Sequence, residues 1–294
     1  MMQQRGPAPS GGRAADTSSA VGPTVCAILK RDRAKTLVRT VLPRRRCQLV
    51  SAKTKTDLVD TISTTLIDAV IIDGGLGEEL TRILPLAEDY PSTPFFLITP
   101  LFAMDTPTVS RAVESGLAEL WVEGVDDTHA RQLMQQRCFT HRFERAFSVA
   151  PDALAITSPI QKLVWQRLVG RAGRSVRTDE LARELNISRE HLSRSFATGE
   201  APTLKRVIDL VRLFAAAELA KNPGYDLKEV AAVLDFASPS HLSATVHRLI
   251  GARSSALARL RAIDILDRFL ERQRSAPEEQ GSDPDVALPP SPDL

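Results

Sequence analysis

The sequence predicts two folds in series: an α/β front domain built on a five-stranded parallel sheet, then an all-α domain. Three observations carry this. Up to about Asp127, short apolar runs alternate five times with longer amphipathic stretches. From Pro159 onward the strand signals vanish and helix follows helix. Within the helical part, one capped two-helix pattern occurs twice.

The front strands are expected at Val25–Leu29, Gln48–Ser51, Ala69–Asp73, Phe95–Thr99 and Leu120–Val122. Most are apolar on consecutive positions, as a parallel sheet covered on both faces requires. Helices are expected between and after them, at Ala34–Leu42, Thr56–Thr65, Gly77–Glu88, Thr106–Ser115 and Asp127–Arg137. The domain plan is a disordered tail over 1–22, the α/β domain over 23–137 and a linker over 138–157. The helical domain then spans 158–272, and a second, acidic disordered tail spans 273–294. Thr140–Leu154 reads equally as an extension of the last front helix or as linker. The tails are rich in small, Pro and polar residues and poor in large apolar ones.

The net charge of +2 is unevenly spread. Residues 158–272 hold 19 Lys/Arg against 13 Asp/Glu, whereas 273–294 hold one Arg against five acids. A basic segment inside a near-neutral chain is compatible with phosphate binding, and equally with a solvated surface. Cys26, Cys47 and Cys138 are odd in number and widely spaced, so they read as buried thiols rather than a disulfide framework or zinc ligands. With no membrane-length apolar run and no signal-peptide core, a cytoplasmic location is expected. Neither a Gly-rich phosphate loop nor a metal or nucleophile–base constellation stands out, so no enzymatic activity, cofactor or metal is expected.

In the first two-helix unit, Thr178 reads as an N-cap with Asp179 and Glu180 in the first turn. Leu181, Ala182 and Leu185 share a face, and the small Ala182 lets a second helix cross closely. Asn186 falls where the turn needs a left-handed residue, a conformation Asn tolerates. Ser188 caps the second helix, Leu192 and Phe196 face inward, and Arg189, Glu190, His191, Ser193 and Arg194 are left for the outside. The second unit repeats this grammar. Val230, Ala231 and Leu234 form the first apolar face, Asp235 takes the left-handed slot, and Ser238-Pro239 opens the next helix. Leu242, Val246 and Leu249 continue inward, and Ser240, His241, Ser243, Thr245, His247 and Arg248 include the candidate outer face. The helix over Thr203–Lys221 joins the units, placing two recognition helices about 34 Å apart for successive major grooves.

From about Pro159 to Ala262 the chain resembles the DNA-binding domain of the AraC/XylS regulators. The resemblance rests on Ile187, Ser188, Leu192, Arg194 and Phe196 in the first unit. In the second it rests on Val230, Ala231, Phe236, Ser238, Ser240 and Leu242. The second unit departs from the family pattern at Asp235, at His241 and after Gly251. The resemblance implies a double helix-turn-helix binding double-stranded DNA as an activator or repressor. Its DNA-contacting candidates are Ser188, Arg189, Glu190, His191, Ser193, Arg194, Ser238, Ser240, His241, Ser243, His247 and Arg248.

The front domain resembles the receiver domain of response regulators. Asp73, ending the third strand, sits at the phosphoacceptor position, and Thr99 at that of the hydroxyl contacting the phosphoryl group. The resemblance implies an acidic pair after the first strand to hold Mg²⁺, which takes oxygen ligands. Here the matching residues are Lys30 and Arg31. It also implies a lysine ending the fifth strand; here that residue is Glu123. With charge inverted on both sides, Lys30 or Arg31 is expected to pair with Asp73 in the metal's place. The front domain is then expected to act without phosphorylation, by forming a homodimer or docking RNA polymerase or another regulator. The alternatives are a response regulator phosphorylated at Asp73 and an adaptor that binds only protein.

Overall fold

The computed structural model describes residues 22–42, 47–103, 106–148 and 151–275. Five strands form one sheet: β1 (Thr24–Ile28), β2 (Gln48–Ser51), β3 (Ala69–Asp73), β4 (Phe95–Pro100) and β5 (Glu119–Glu123). All neighbouring pairs are parallel, in the order β2-β1-β3-β4-β5. That order is doubly wound with its switch point between β1 and β3, where the strand ends open a crevice. It is the arrangement of a receiver-like fold.

The front helices are α1 (Asp32–Val41), α2 (Lys55–Thr64), α3 (Glu78–Ile83), α4 (Leu86–Asp89), α5 (Pro107–Glu114) and α6 (Asp127–Arg137). The single helix expected over Gly77–Glu88 is therefore two. Pro85 has no N–H to donate, and the chain crosses it through three-residue turns, Ala87 to Leu84 and Glu88 to Pro85, before re-forming a helix.

Strand side chains alternate between two cores. Val25, Ala27, Ile71, Phe96, Ile98 and Trp121 pack with Ala34, Val38, Ala130 and Met134 of α1 and α6. Cys26, Ile28, Val70, Ile72 and Leu97 face the other way, against Leu58, Ile62, Leu80 and Ala112. This second core does not end with the front domain. It continues without a break into the helical region.

The segment 138–157, set down as linker, holds helix α7 (Phe139–Phe147). Cys138 is extended (φ −59°, ψ 148°) and ends α6, so α7 is a new helix and not an extension. Phe139, Phe143 and Phe147 recur every four residues and bury one stripe. The helical region follows as α8 (Pro159–Val169), α9 (Thr178–Glu184), α10 (Arg189–Ala197), α11 (Leu204–Leu219), α12 (Leu227–Val233), α13 (Pro239–Ile250) and α14 (Ala262–Ser275). Helix α11 is its axis, buried along most of its length. Phe214 of α11 stacks on Phe147 with ring centroids 4.3 Å apart, and Trp165 of α8 donates to the Phe147 carbonyl at 3.0 Å. Gly173 permits the close approach to α11: its φ is +80°, and a Cβ there would lie 2.3 Å from that of Ala215.

Polar bolts join the two regions. Buried Asp68 accepts from the backbone of Thr24 and Thr140 and pairs with Arg174 at 2.7 Å. The turn before α12 is fixed to the front domain by three hydrogen bonds: Tyr225 Oη to the Ile62 carbonyl, Ser92 N to Asn222 Oδ1 and Gly224 N to the Asp89 carbonyl. Burial pushes the Tyr225 hydroxyl pKa well above its ordinary value.

Residues 273–275, expected in the second tail, are instead the end of α14. The rest of that tail, and residues 1–21 of the first, lie outside the described residues. The three cysteines are buried, and burial pushes each thiol up to about 11, so they stay protonated and unreactive. No described helix is long and apolar enough to cross a membrane.

Candidate nucleic-acid interface and receiver-like pocket

The first unit is α9 and α10. Helix α9 starts at Thr178, with Arg177 in the cap position and no side-chain cap bond, so Thr178 is the first helical residue and not the cap. Leu181 and Ala182 are buried. Asn186 adopts φ +53°, the left-handed turn expected of it. Ser188 caps α10, its hydroxyl accepting from His191 N at 3.1 Å. Leu192 and Phe196 are buried, leaving Ser188, Arg189, Glu190, His191, Ser193 and Arg194 all exposed. The Glu190 carboxyl pKa is lowered, chiefly by its own backbone N–H at the helix start and then by Ser188, with Arg189 and Arg194 adding to it. Helix α10 thus presents two guanidiniums, one carboxylate, an imidazole and hydroxyls, a donor and acceptor set suited to phosphates and base edges.

The second unit is α12 and α13. Asp226 and Glu229 close a capping box on α12, and Asp235 takes the left-handed turn at φ +55°. Ser238, half-buried, caps α13 by accepting from His241 N at 3.1 Å. Ser240, His241, His247 and Arg248 are exposed. Thr245 is not part of this outer face. It is 2% exposed, because it lies three residues after Leu242 and four before Leu249, on the buried stripe. Ser243 is half-buried, with its hydroxyl 2.9 Å from that of Ser254. Arg248 pairs with Asp209 of α11 at 2.8 Å, and His241 meets the Phe236 ring edge-on. Arg212 of α11 stacks over Phe236, 3.9 Å from the ring centroid, and donates to the carbonyls of Leu234 and Asp235, which close the end of α12.

At the C-terminal edge of the sheet, Arg31 enters the crevice beside Asp73. Its Nε lies 2.6 Å from Asp73 Oδ1, and its Nη2 donates to the Ile98 carbonyl at 3.1 Å. The other carboxylate oxygen of Asp73 accepts from the backbone N–H of Lys30 and Arg31, at 2.9 and 2.7 Å. Gly75 N adds a fourth donor at 2.9 Å. Lys30 contributes its backbone alone; its side chain points to solvent. The same Arg31 guanidinium reaches Glu123, Nη1 to Oε1 at 2.5 Å, and Arg33 approaches the other oxygen at 3.5 Å. Neither Glu123 oxygen has an aligned donor, so charge proximity alone holds this second carboxylate. The side chains of Asp73 and Glu123 are 0% and 1% exposed. Thr99 is buried, and its hydroxyl faces the Pro100 carbonyl rather than the carboxylate. Asp73, Arg31 and Glu123 therefore form one ionic unit, with a half-buried guanidinium fixed between two buried acids. Arg33, not singled out in the sequence, is its outer neighbour.

Comparison with known proteins fits this geometry. Residues 181–259 match the family model described as a helix-turn-helix domain, a span that includes α10 and α13. Among solved structures, the chain is similar to full-length FixJ from B. japonicum, at 14% identity and a TM-score of 0.34, over 73% of this chain and 96% of that one. At that level the likeness adds nothing to the fold, which rests on the strand order. No curated protein matches the chain. The chain carries a helix-turn-helix domain over residues 181–259, behind a five-stranded, receiver-like α/β domain.

Proposed function

We propose that the protein is a sequence-specific transcription regulator that lays α10 and α13 into successive major grooves of double-stranded DNA. The observation that carries this reading is the outer face of α10, where Arg189, His191, Ser193 and Arg194 are all exposed above a buried Leu192–Phe196 stripe. Arg in such a place pairs with guanine edges or phosphates, while hydroxyls and imidazole adapt to either. A genome-wide binding map followed by gel-shift titration on the mapped sites tests the proposal. Sequence-selective binding that weakens as salt rises is expected. No selective shift at any salt overturns the proposal.

The same proposal assigns the front domain a role independent of phosphorylation, in dimerisation or docking another regulator. Arg31 supports this, because it holds Asp73 through the oxygens that a metal and a phosphoryl group would need. Leu101 and Phe102 after β4 and Val125 after β5 stand exposed, the last two at 85% and 58%, and offer apolar surface for such a contact. Adding Mg²⁺ and a phosphoryl analogue is expected to leave the thermal midpoint unchanged. A shift that disappears in Asp73→Asn would return the chain to the phosphorylated class.

A further inference from the structure

Three arginines meet where the connecting helix α11, the end of recognition helix α13 and the end of α14 come together. Arg206 of α11 lies over the Phe269 ring of α14, 5.1 Å from its centroid. Its Nε is buried and has no hydrogen-bond partner. Arg248 reaches in from α13. Arg272, one turn beyond Phe269 on α14, lies against the C-cap of α13. A Cβ on Gly251 would sit 2.8 Å from Arg272 Nη1, and the φ of +65° at Gly251 independently favours glycine. Among the described residues the one acid bound to this group is Asp209, through Arg248. Burial lowers the Arg206 pKa, and the nearby charges of Arg248 and Arg272 lower it further. Asp264, Asp267 and Glu271 line the pocket beside Arg272, yet Arg206 remains repelled by Arg248 and Arg272, and an anion seated among the three guanidiniums relieves that repulsion.

The position of the cluster indicates which anion. Ser240, Ala244 and Arg248 are spaced by four and run along one face of α13. Gly251, with Arg272 over it, continues that face by one turn. The cluster therefore extends the outer stripe of the recognition helix toward the helix that connects it to the first unit. Guanidinium forks match the oxygens of a phosphate, and in protein–DNA complexes half or more of the hydrogen bonds go to backbone phosphate and sugar.

We infer that Arg206, Arg248 and Arg272 form a clamp for a phosphodiester of the DNA backbone, beyond the base-reading part of α13. The inference rests on the DNA-binding reading above. Each phosphate contact contributes about 0.9 to the slope of log affinity against log salt. In the full-length protein, Arg272→Ala is expected to reduce that slope by about one contact. Its affinity would then fall roughly threefold less than that of the wild type between 50 and 200 mM salt. Specific and random duplexes should be affected alike, with a thermal midpoint that does not fall. Arg272→Lys, which keeps the charge, should restore the slope.

Wild-type binding with an unchanged slope and affinity in Arg272→Ala overturns the clamp and leaves the general reading standing. A wild type that binds no duplex overturns both. Tighter binding in Arg272→Ala also overturns it, and would assign the cluster to the acids of residues 276–294, which begin just beyond α14.

Discussion

The two recognition helices share a grammar and differ in how free their outer faces are. On α10 no side chain of the outer face is tied to another helix, and Ser188 uses its hydroxyl on the cap and on neighbouring Glu190. On α13 the same surface is partly consumed from within. Arg248 is paired to Asp209, Ser243 faces Ser254, His241 rests on Phe236, and Thr245 is buried. A side chain held by internal bonds approaches DNA pre-oriented but must share its donors. A free one keeps all its donors and loses rotamer entropy on binding. The two helices should therefore fail differently when mutated.

The largest effect expected is from Arg189→Ala or Arg194→Ala on α10. Loss of a bidentate base contact should weaken specific binding by about 1–3 kcal/mol, with no change in thermal midpoint. Gel-shift titration beside thermal melting checks this, and wild-type affinity in both variants would reject α10 as the reading face. Arg248→Ala on α13 should instead register in the fold. Asp209, 9% exposed, loses its partner. Because the Arg248 side chain is half exposed, the expected loss of stability is about 1–2 kcal/mol, below that of a fully buried pair. An unchanged melt would show that the two faces are equally free.

Next come the caps. Ser188→Ala and Ser238→Ala should each cost about 1 kcal/mol, and by similar amounts, because the capping hydrogen bond is 3.1 Å long in both units. Unequal chemical denaturation midpoints would break that symmetry. Smallest are Asn186→Gly and Asp235→Gly, which place glycine at φ +53° and +55°. Each should shift stability by under about 1 kcal/mol. The Asp235 change should be the more favourable, since Asn tolerates the left-handed region well. A clear loss of stability in either would mean that its side chain makes contacts beyond the turn.

Much of this comparison is legible in the sequence. The left-handed Asn186 and Asp235 and the two serine caps follow from local chemistry, which acts over three or four residues. The bounds of β2, β3 and α6 follow for the same reason. The buried side of Thr245 is legible too, had its spacing to Leu242 and Leu249 outweighed its hydroxyl. Long-range partners are not legible. Nothing local shows that Arg248 meets Asp209, that Phe147 stacks on Phe214, or that Tyr225 reaches the Ile62 carbonyl across 163 positions. The receiver-like pocket lies between these cases. Charge inversion at Lys30, Arg31 and Glu123 foretells a cation beside Asp73. That Arg31 alone enters, and holds both acids, depends on its side chain crossing from the end of β1 over the ends of β3 and β4 to reach β5.

That shared guanidinium has a consequence for substitution. Replacing Arg31 by an acid would set three carboxylates against one another in a buried crevice, and replacing Glu123 by lysine would crowd two cations. Either step alone should be destabilising, and only the two together could reopen a metal-binding pocket. Substitutions at Arg31 and Glu123 are therefore expected to be strongly non-additive, each tolerated better in the presence of the other than alone.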